Sequence, residues 1–256
     1  MFVGGGITIM SRSTGHLGFI RAPILVVAAF CAIWPLGGVA AAEDSENSSS
    51  ALLPREYAGK FLIAENTLSS DKTIGVIYPT LELCAEQSDK RCQDYLVQLK
   101  PFKILATLET KWPHFENKNH GGISGHWSKD GAALLMTLES KWGPGDIFLY
   151  EFKDGQLVRS TNLLRKMHEL LEPDFRRAKS GHYNDYFDFI FESEETPMVE
   201  FKGSTLRIRA RATTDPKQIA GEKAWDGRLE AVWDISQAKF TSQKVERLFA
   251  GVRQGE

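Results

Sequence analysis

Trp127-Ser128-Lys129-Asp130-Gly131-Ala132-Ala133-Leu134-Leu135-Met136 is followed by Gly145-Asp146-Ile147-Phe148-Leu149-Tyr150 and then by Asp154-Gly155. The aspartate of Asp130-Gly131 can bond to backbone N–H groups just beyond it, and the glycine accepts a positive φ, so this pair makes a tight turn. Residues 133–136 are apolar without alternation, which is the pattern of a strand buried on both faces. Ile147-Phe148-Leu149-Tyr150-Glu151-Phe152 reads as its partner, and Asp154-Gly155 as the hairpin turn that follows.

Working outward, strands dominate. Thr73 to Tyr78 is β-branched and ends at Pro79, and Lys103 to Glu109 and Ala133 to Glu139 carry apolar residues at strand spacing. Tyr186 to Phe191 sets Phe187, Phe189 and Phe191 on one face. In Thr205 to Arg211, Leu206, Ile208 and Ala210 face in while Arg207, Arg209 and Arg211 face out. Leu229 to Ile235 reads as a further strand, and 214–227 as a long polar loop. Two helices are expected. One spans Asn162 to Glu172, capped at Thr161 or Asn162 and ended by Pro173; the other spans Ser88 to Lys100, with Cys92, Tyr95, Leu96 and Leu99 at helical spacing. Leu105 to Trp112 is echoed by Leu135 to Trp142, with six of eight positions identical, which suggests two equivalent strands.

The stretch 127–155 resembles one blade of a TolB-like β-propeller, in which a W-S-x-D-G turn leads into a strand, a D-I strand and a D-G turn. Ser70 to Ile77 is a weaker second match, without the Trp and the Gly. The resemblance implies an antiparallel, propeller-like meander, and here it carries inserted helices; a β-sandwich or an α+β sheet is the alternative. The family includes binding proteins and peptidase accessory domains, so it does not fix a function.

The N-terminus has the layout of a secretory signal. Arg12 and Arg21 precede an apolar run from Ala22 to Ala42, the first acidic residue is Glu43, and Ala40-Ala41-Ala42 offers a cleavage site. The expected organisation is a signal peptide over 1–42, a flexible lead-in over 43–55 and one β-rich domain over 56–256. The product would be secreted or periplasmic. The chain carries 31 basic against 33 acidic residues, and losing Arg12 and Arg21 takes the net charge from −2 to −4. No nucleic-acid partner is expected from that balance, and no later apolar run approaches membrane length. Cys84 and Cys92 are expected to form a disulfide in an oxidising compartment.

Chemistry-bearing side chains concentrate in Trp112 to Trp127, which holds His114, His120 and His126, a glycine cluster and a Trp at each end. Loops of this composition bring backbone close to ligands. The histidine spacing matches no standard zinc pattern, and Gly122-Ile-Ser124-Gly125 is not a nucleophile elbow. No metal or cofactor is therefore expected. Trp112, His120, His126 and Trp142 are the candidate ligand-binding residues, with Trp112 and Trp142 offering stacking platforms. The reading is an exported, non-enzymatic binding module for a protein, peptide or glycan in the cell envelope. The alternative is an envelope hydrolase using His and carboxylate groups of 114–130 and 182–188, where Asp185 and Asp188 are the paired acids.

Overall fold

The computed structural model describes residues 52–86, 92–110, 113–178, 186–192, 196–214 and 225–248. They form a mainly antiparallel β protein with inserted helices, built from three sheets that do not close on themselves. The first sheet is β1 (Phe61–Ala64), β2 (Ile74–Pro79), β3 (Tyr95–Leu99) and β4 (Phe102–Thr107) in chain order, with the helix α1 (Leu81–Glu86) between β2 and β3. The second is β5 (Gly122–Trp127), β6 (Ala133–Glu139), β7 (Pro144–Lys153) and β8 (Gln156–Asn162), again in chain order. Helix α2 (Leu163–Ala178) leads to β9 (Asp188–Ile190), β10 (Val199–Lys202), β11 (Thr205–Thr213), β12 (Asp226–Asp234) and β13 (Lys239–Arg247). The third sheet has the order β10-β11-β12-β13, and β9 also pairs with β11.

The second sheet lies in the middle of the packing. One of its faces, through Leu134, Met136, Phe148 and Tyr150, joins Val76 and Leu96 of the first sheet. Its other face, through Leu135, Ile147 and Leu149, joins Met167 and Leu171 of α2 and Leu206, Ile208 and Leu229 of the third sheet. That is why residues 133–136 and 147–150 show no alternation: every side chain on both faces is buried. Each leucine, isoleucine, phenylalanine or methionine among them contributes about 1.5–3 kcal/mol by leaving water. The far face of the first sheet is covered by Leu53 and partly buried Tyr57 over Phe61, Ile77 and Val97. Leu53, within the expected lead-in, is thus already part of the packed body.

The far face of the third sheet is charged. Arg209 pairs with Glu200 at 3.4 Å, Arg211 pairs with Asp226, and Arg207 is exposed. The arginines that face out along β11 thus form a strand face laced with acids. The strict alternation of β11 holds, with Leu206, Ile208, Ala210 and Ala212 all buried.

The turns entering β2 and β6 are built alike. Ser128 Oγ donates to Asp130 Oδ1 (2.7 Å), and the N–H of Ala132 donates to the same oxygen (3.1 Å). The Ala133 N–H donates to Ser128 Oγ (2.8 Å). At β2, Ser69 Oγ donates to Asp71 Oδ1 (2.6 Å), with the N–H of Thr73 on Asp71 (3.1 Å) and that of Ile74 on Ser69 Oγ (3.0 Å). Gly131 takes φ +71° and its counterpart Lys72 takes φ +55°. The hydrogen bonds hold both aspartates below the usual carboxylate range, those from the serines contributing most.

Several expectations need correction. Residues 95–99 form the strand β3, not a helix; Leu96 faces one core while Val97 and Leu99 face another, so the apolar spacing imitates a helix. Helix α2 begins as expected, its Asn162 Oδ1 accepting the Arg165 N–H (2.9 Å), but it runs through Pro173 to Ala178 because Phe175 is buried against Phe187 and Trp225. The echoed segments are not equivalent: Leu105 lies on the outermost strand of its sheet and Leu135 on an inner one. Strand β12 starts at Asp226, inside the expected 214–227 loop, of which residues 215–224 lie outside the described residues. The disulfide is formed as expected, joining Cys84 of α1 to Cys92 with Cα atoms 5.2 Å apart.

Candidate functional site

The β6–β7 hairpin ends in a tight tip at 140–143, closed by Ser140, whose N–H and Oγ both donate to the Gly143 carbonyl (3.0 and 2.7 Å). The tip rests on β9. The space beside the Gly143 Cα is filled by the Phe189 carbonyl, so that a Cβ there would sit 2.0 Å from its oxygen. The Phe191 N–H donates to the Trp142 carbonyl (3.3 Å). With its backbone held this way, the Trp142 side chain stands in solvent, 72 % exposed, and the Lys141 ammonium lies 4.5 Å from the ring centroid. Phe191 and Tyr186, at either end of the β9 segment, are exposed as well.

A cleft of about 610 Å3 opens on one side of this tip. Trp142 forms part of its wall, Phe187 and Phe189 contribute apolar surface, and Glu109, Asp146, Asn162, Arg165 and Asp188 supply polar groups. Asn162 Nδ2 donates to Asp146 Oδ1 (2.9 Å) while its Oδ1 caps α2, so one amide orders both a carboxylate and a helix start. His168, also at the cleft, stacks on Phe187 with ring centroids 4.2 Å apart, and its Nδ1 lies 3.8 Å from Glu172 Oε2.

A second groove, of about 640 Å3, lies on the other side of the tip. It is lined by Ser124, His126, Thr137 and Glu139 of the second sheet and by Phe191 and Met198. Ser124 and His126 alternate on one face of β5, opposite Thr137 and Leu135 of β6.

The sequence-derived residues are therefore dispersed. Trp112 lies outside the described residues. His120 is exposed on a loop with φ +55° and lines neither cavity. His126 is on strand β5 rather than in a loop, and Trp142 stands at the tip. Of the proposed acid pair, Asp188 is exposed at the cleft and Asp185 is outside the described residues. No group of His, Cys, Asp and Glu side chains suited to a metal occurs among the described residues.

One titratable group escaped sequence reading altogether. Asp94 is fully buried; its Oδ2 accepts the His114 N–H (2.8 Å) and its Oδ1 is unpaired. Burial pushes its carboxyl up to about 7, against the opposing pull of the His114 N–H and the Lys118 charge. Burial, with the Lys118 charge adding to it, draws His114 down to about 4, and the imidazole packs edge-on against Tyr78 at 4.8 Å. The position of Asp94 between Cys92 and Tyr95 carries no sequence signal of this burial. The cleft residues Asp146 and Arg165 were equally silent, since charged residues at a strand start and on a helix flank are ordinary.

Comparison with models of known families, with curated proteins and with solved structures finds no match.

Proposed function

We propose that this is an exported, non-enzymatic binding module of the cell envelope, and that its contact surface is the tip around Trp142 with the cavities beside it. The observation that carries this reading is the exposure of Trp142, 72 % open at a tip whose backbone is tightly held. A tryptophan in solvent forgoes the stability its burial would bring, and large rigid aromatics in such positions dominate binding energy when a partner covers them. Exposed Phe191, hydrogen-bonded through its N–H to the Trp142 carbonyl, extends the same apolar surface.

Export is supported by the basic–apolar–small layout of residues 12–42 and by the Cys84–Cys92 pair, since such bonds persist where thiols oxidise. A propeller-like arrangement of the three four-stranded meanders is part of the same proposal. Its support is the matching Ser-x-Asp turn before the second strand of the first two sheets.

The reading is tested by immobilising the purified protein and its Trp142→Ala variant and passing solubilised envelope material from the host over both. Retention of a defined component by the wild type and its loss on the variant is expected. Equal retention by both would remove Trp142 from the contact surface and the proposal with it.

A further inference from the structure

The cleft beside Trp142 differs in chemistry from the groove on the other side of the tip. It sets an exposed indole next to an array of planar polar side chains: the carboxylates of Glu109, Asp146 and Asp188, the amide of Asn162 and the guanidinium of Arg165. We propose that this cleft binds a neutral oligosaccharide, one sugar ring stacking on Trp142 and its hydroxyls bonding to the polar side chains. The inference rests on the binding-module reading and names its ligand class.

Two observations favour a glycan over a peptide. A pyranose has one face of C–H bonds carrying partial positive charge, which suits the negative π-face of an indole, and Trp142 is open to such a face. Lys141 lies over the ring at 4.5 Å, so the sugar would stack on the opposite face of the indole. Second, a sugar hydroxyl both donates and accepts, and adjacent hydroxyl pairs match the paired oxygens of a carboxylate or the fork of a guanidinium. The cleft is lined by acceptor carboxylates and by donor groups from Asn162 and Arg165. Asp146 and Asn162 already hold each other at 2.9 Å, which fixes two of these groups before any ligand arrives. The volume of about 610 Å3 falls within the range of small-ligand sites, about 300–1,000 Å3.

Charge sets the sugar type. Among the charged side chains that line the cleft, the carboxylates of Glu109, Asp146 and Asp188 outnumber the guanidinium of Arg165. Acidic sugars such as uronates are disfavoured there, and neutral ones are accepted.

The test is titration of the purified protein with neutral gluco-oligosaccharides in α and β linkage and with chito-oligosaccharides, followed by calorimetry and by tryptophan fluorescence. Saturable binding by at least one series is expected, weakened roughly tenfold or more in Trp142→Ala, a loss of at least one decade in Kd. Asp188→Asn, on an exposed position, should weaken binding while leaving thermal unfolding unchanged, so that loss of fold is excluded as the cause. Absence of binding across the panel, or binding unaffected by Trp142→Ala, overturns the glycan assignment. Envelope material retained through Trp142 separates this failure from failure of the broader reading. If protease abolishes that retention and periodate cleavage of vicinal diols does not, the module binds a protein or peptide and the glycan assignment alone falls; if nothing is retained through Trp142, the broader reading falls with it.

Discussion

Gly143 and Phe189 approach so closely that the position of a Cβ on the glycine coincides with the carbonyl oxygen of the phenylalanine, 2.0 Å away. This contact seats the β6–β7 tip on β9 and thereby sets where Trp142 stands. Backbone cannot yield as the end of a flexible side chain can. Gly143→Ala should therefore push the tip off β9 and destabilise the protein by about 1–3 kcal/mol. Gly145→Ala is the control: its nearest neighbour would be the Leu138 carbonyl at 3.6 Å, an ordinary contact. Thermal unfolding should separate the two variants clearly, and equal midpoints would contradict the account of the tip.

Trp142→Ala should leave stability almost untouched, within about 0.5 kcal/mol, because the side chain is mostly in solvent. Denaturant unfolding of the variant checks this. A loss of several kcal/mol would mean that the indole is a packing residue and not a contact residue.

Asp94 and His114 make opposite contributions to stability as pH changes. Asp94 is held near 7 in the folded chain and returns to an ordinary carboxyl value near 4 when unfolded. Between those values the unfolded chain has released its proton while the folded one keeps it, so stability from this group falls as pH rises from about 4 to about 7. Fully expressed above pH 7, the cost is on the order of 3–4 kcal/mol. His114 is held at about 4 in the folded chain against about 6.5 unfolded. Its contribution is therefore present above the unfolded value and is lost as pH falls toward 4. Asp94→Asn should stabilise the protein at pH 8 and make it lose stability more steeply on acidification than the wild type. Urea unfolding at several pH values tests both signs; an unchanged pH profile in Asp94→Asn would show that the carboxyl is not held in this way.

What was readable in the sequence was readable for local reasons. The Asp130-Gly131 turn, the start of α2 at Asn162 and the alternation of β11 each rest on residues within a few positions of one another. The helix reading of 88–100, of which 88–91 lie outside the described residues, fails over 95–99 because β3 is buried on both faces. A strand covered on one side alternates; one covered on both sides loses its period of two, and Cys92, Tyr95, Leu96 and Leu99 then fall on a helical arc although 95–99 is a strand. The candidate site was half legible. Trp142 stood out by its chemistry, but Asp146, Asn162, Arg165 and Asp188 reach its side only through strand register and the path of α2. Their convergence is a property of the tertiary fold, and no spacing announces it.

The Cys84–Cys92 bond closes a loop with a sequence separation of 8 and ties α1 to the segment entering β3. Replacing both cysteines by alanine should cost about 2–3 kcal/mol, mostly by freeing the unfolded chain. Chemical denaturation of the double variant measures this, and reduction of the wild type should lower stability by a similar amount. No change in either experiment would mean that the bond does not constrain the unfolded chain.

The central claim is that Trp142 is the point of contact with a partner. It is tested most directly by placing a photo-crosslinking benzoyl-phenylalanine at position 142 in the host and, in a second strain, at Val158, which is 59 % exposed on β8. Irradiation should yield a discrete covalent adduct from position 142 and none from position 158. Adducts from both positions alike, or from neither, would contradict a binding surface centred on Trp142.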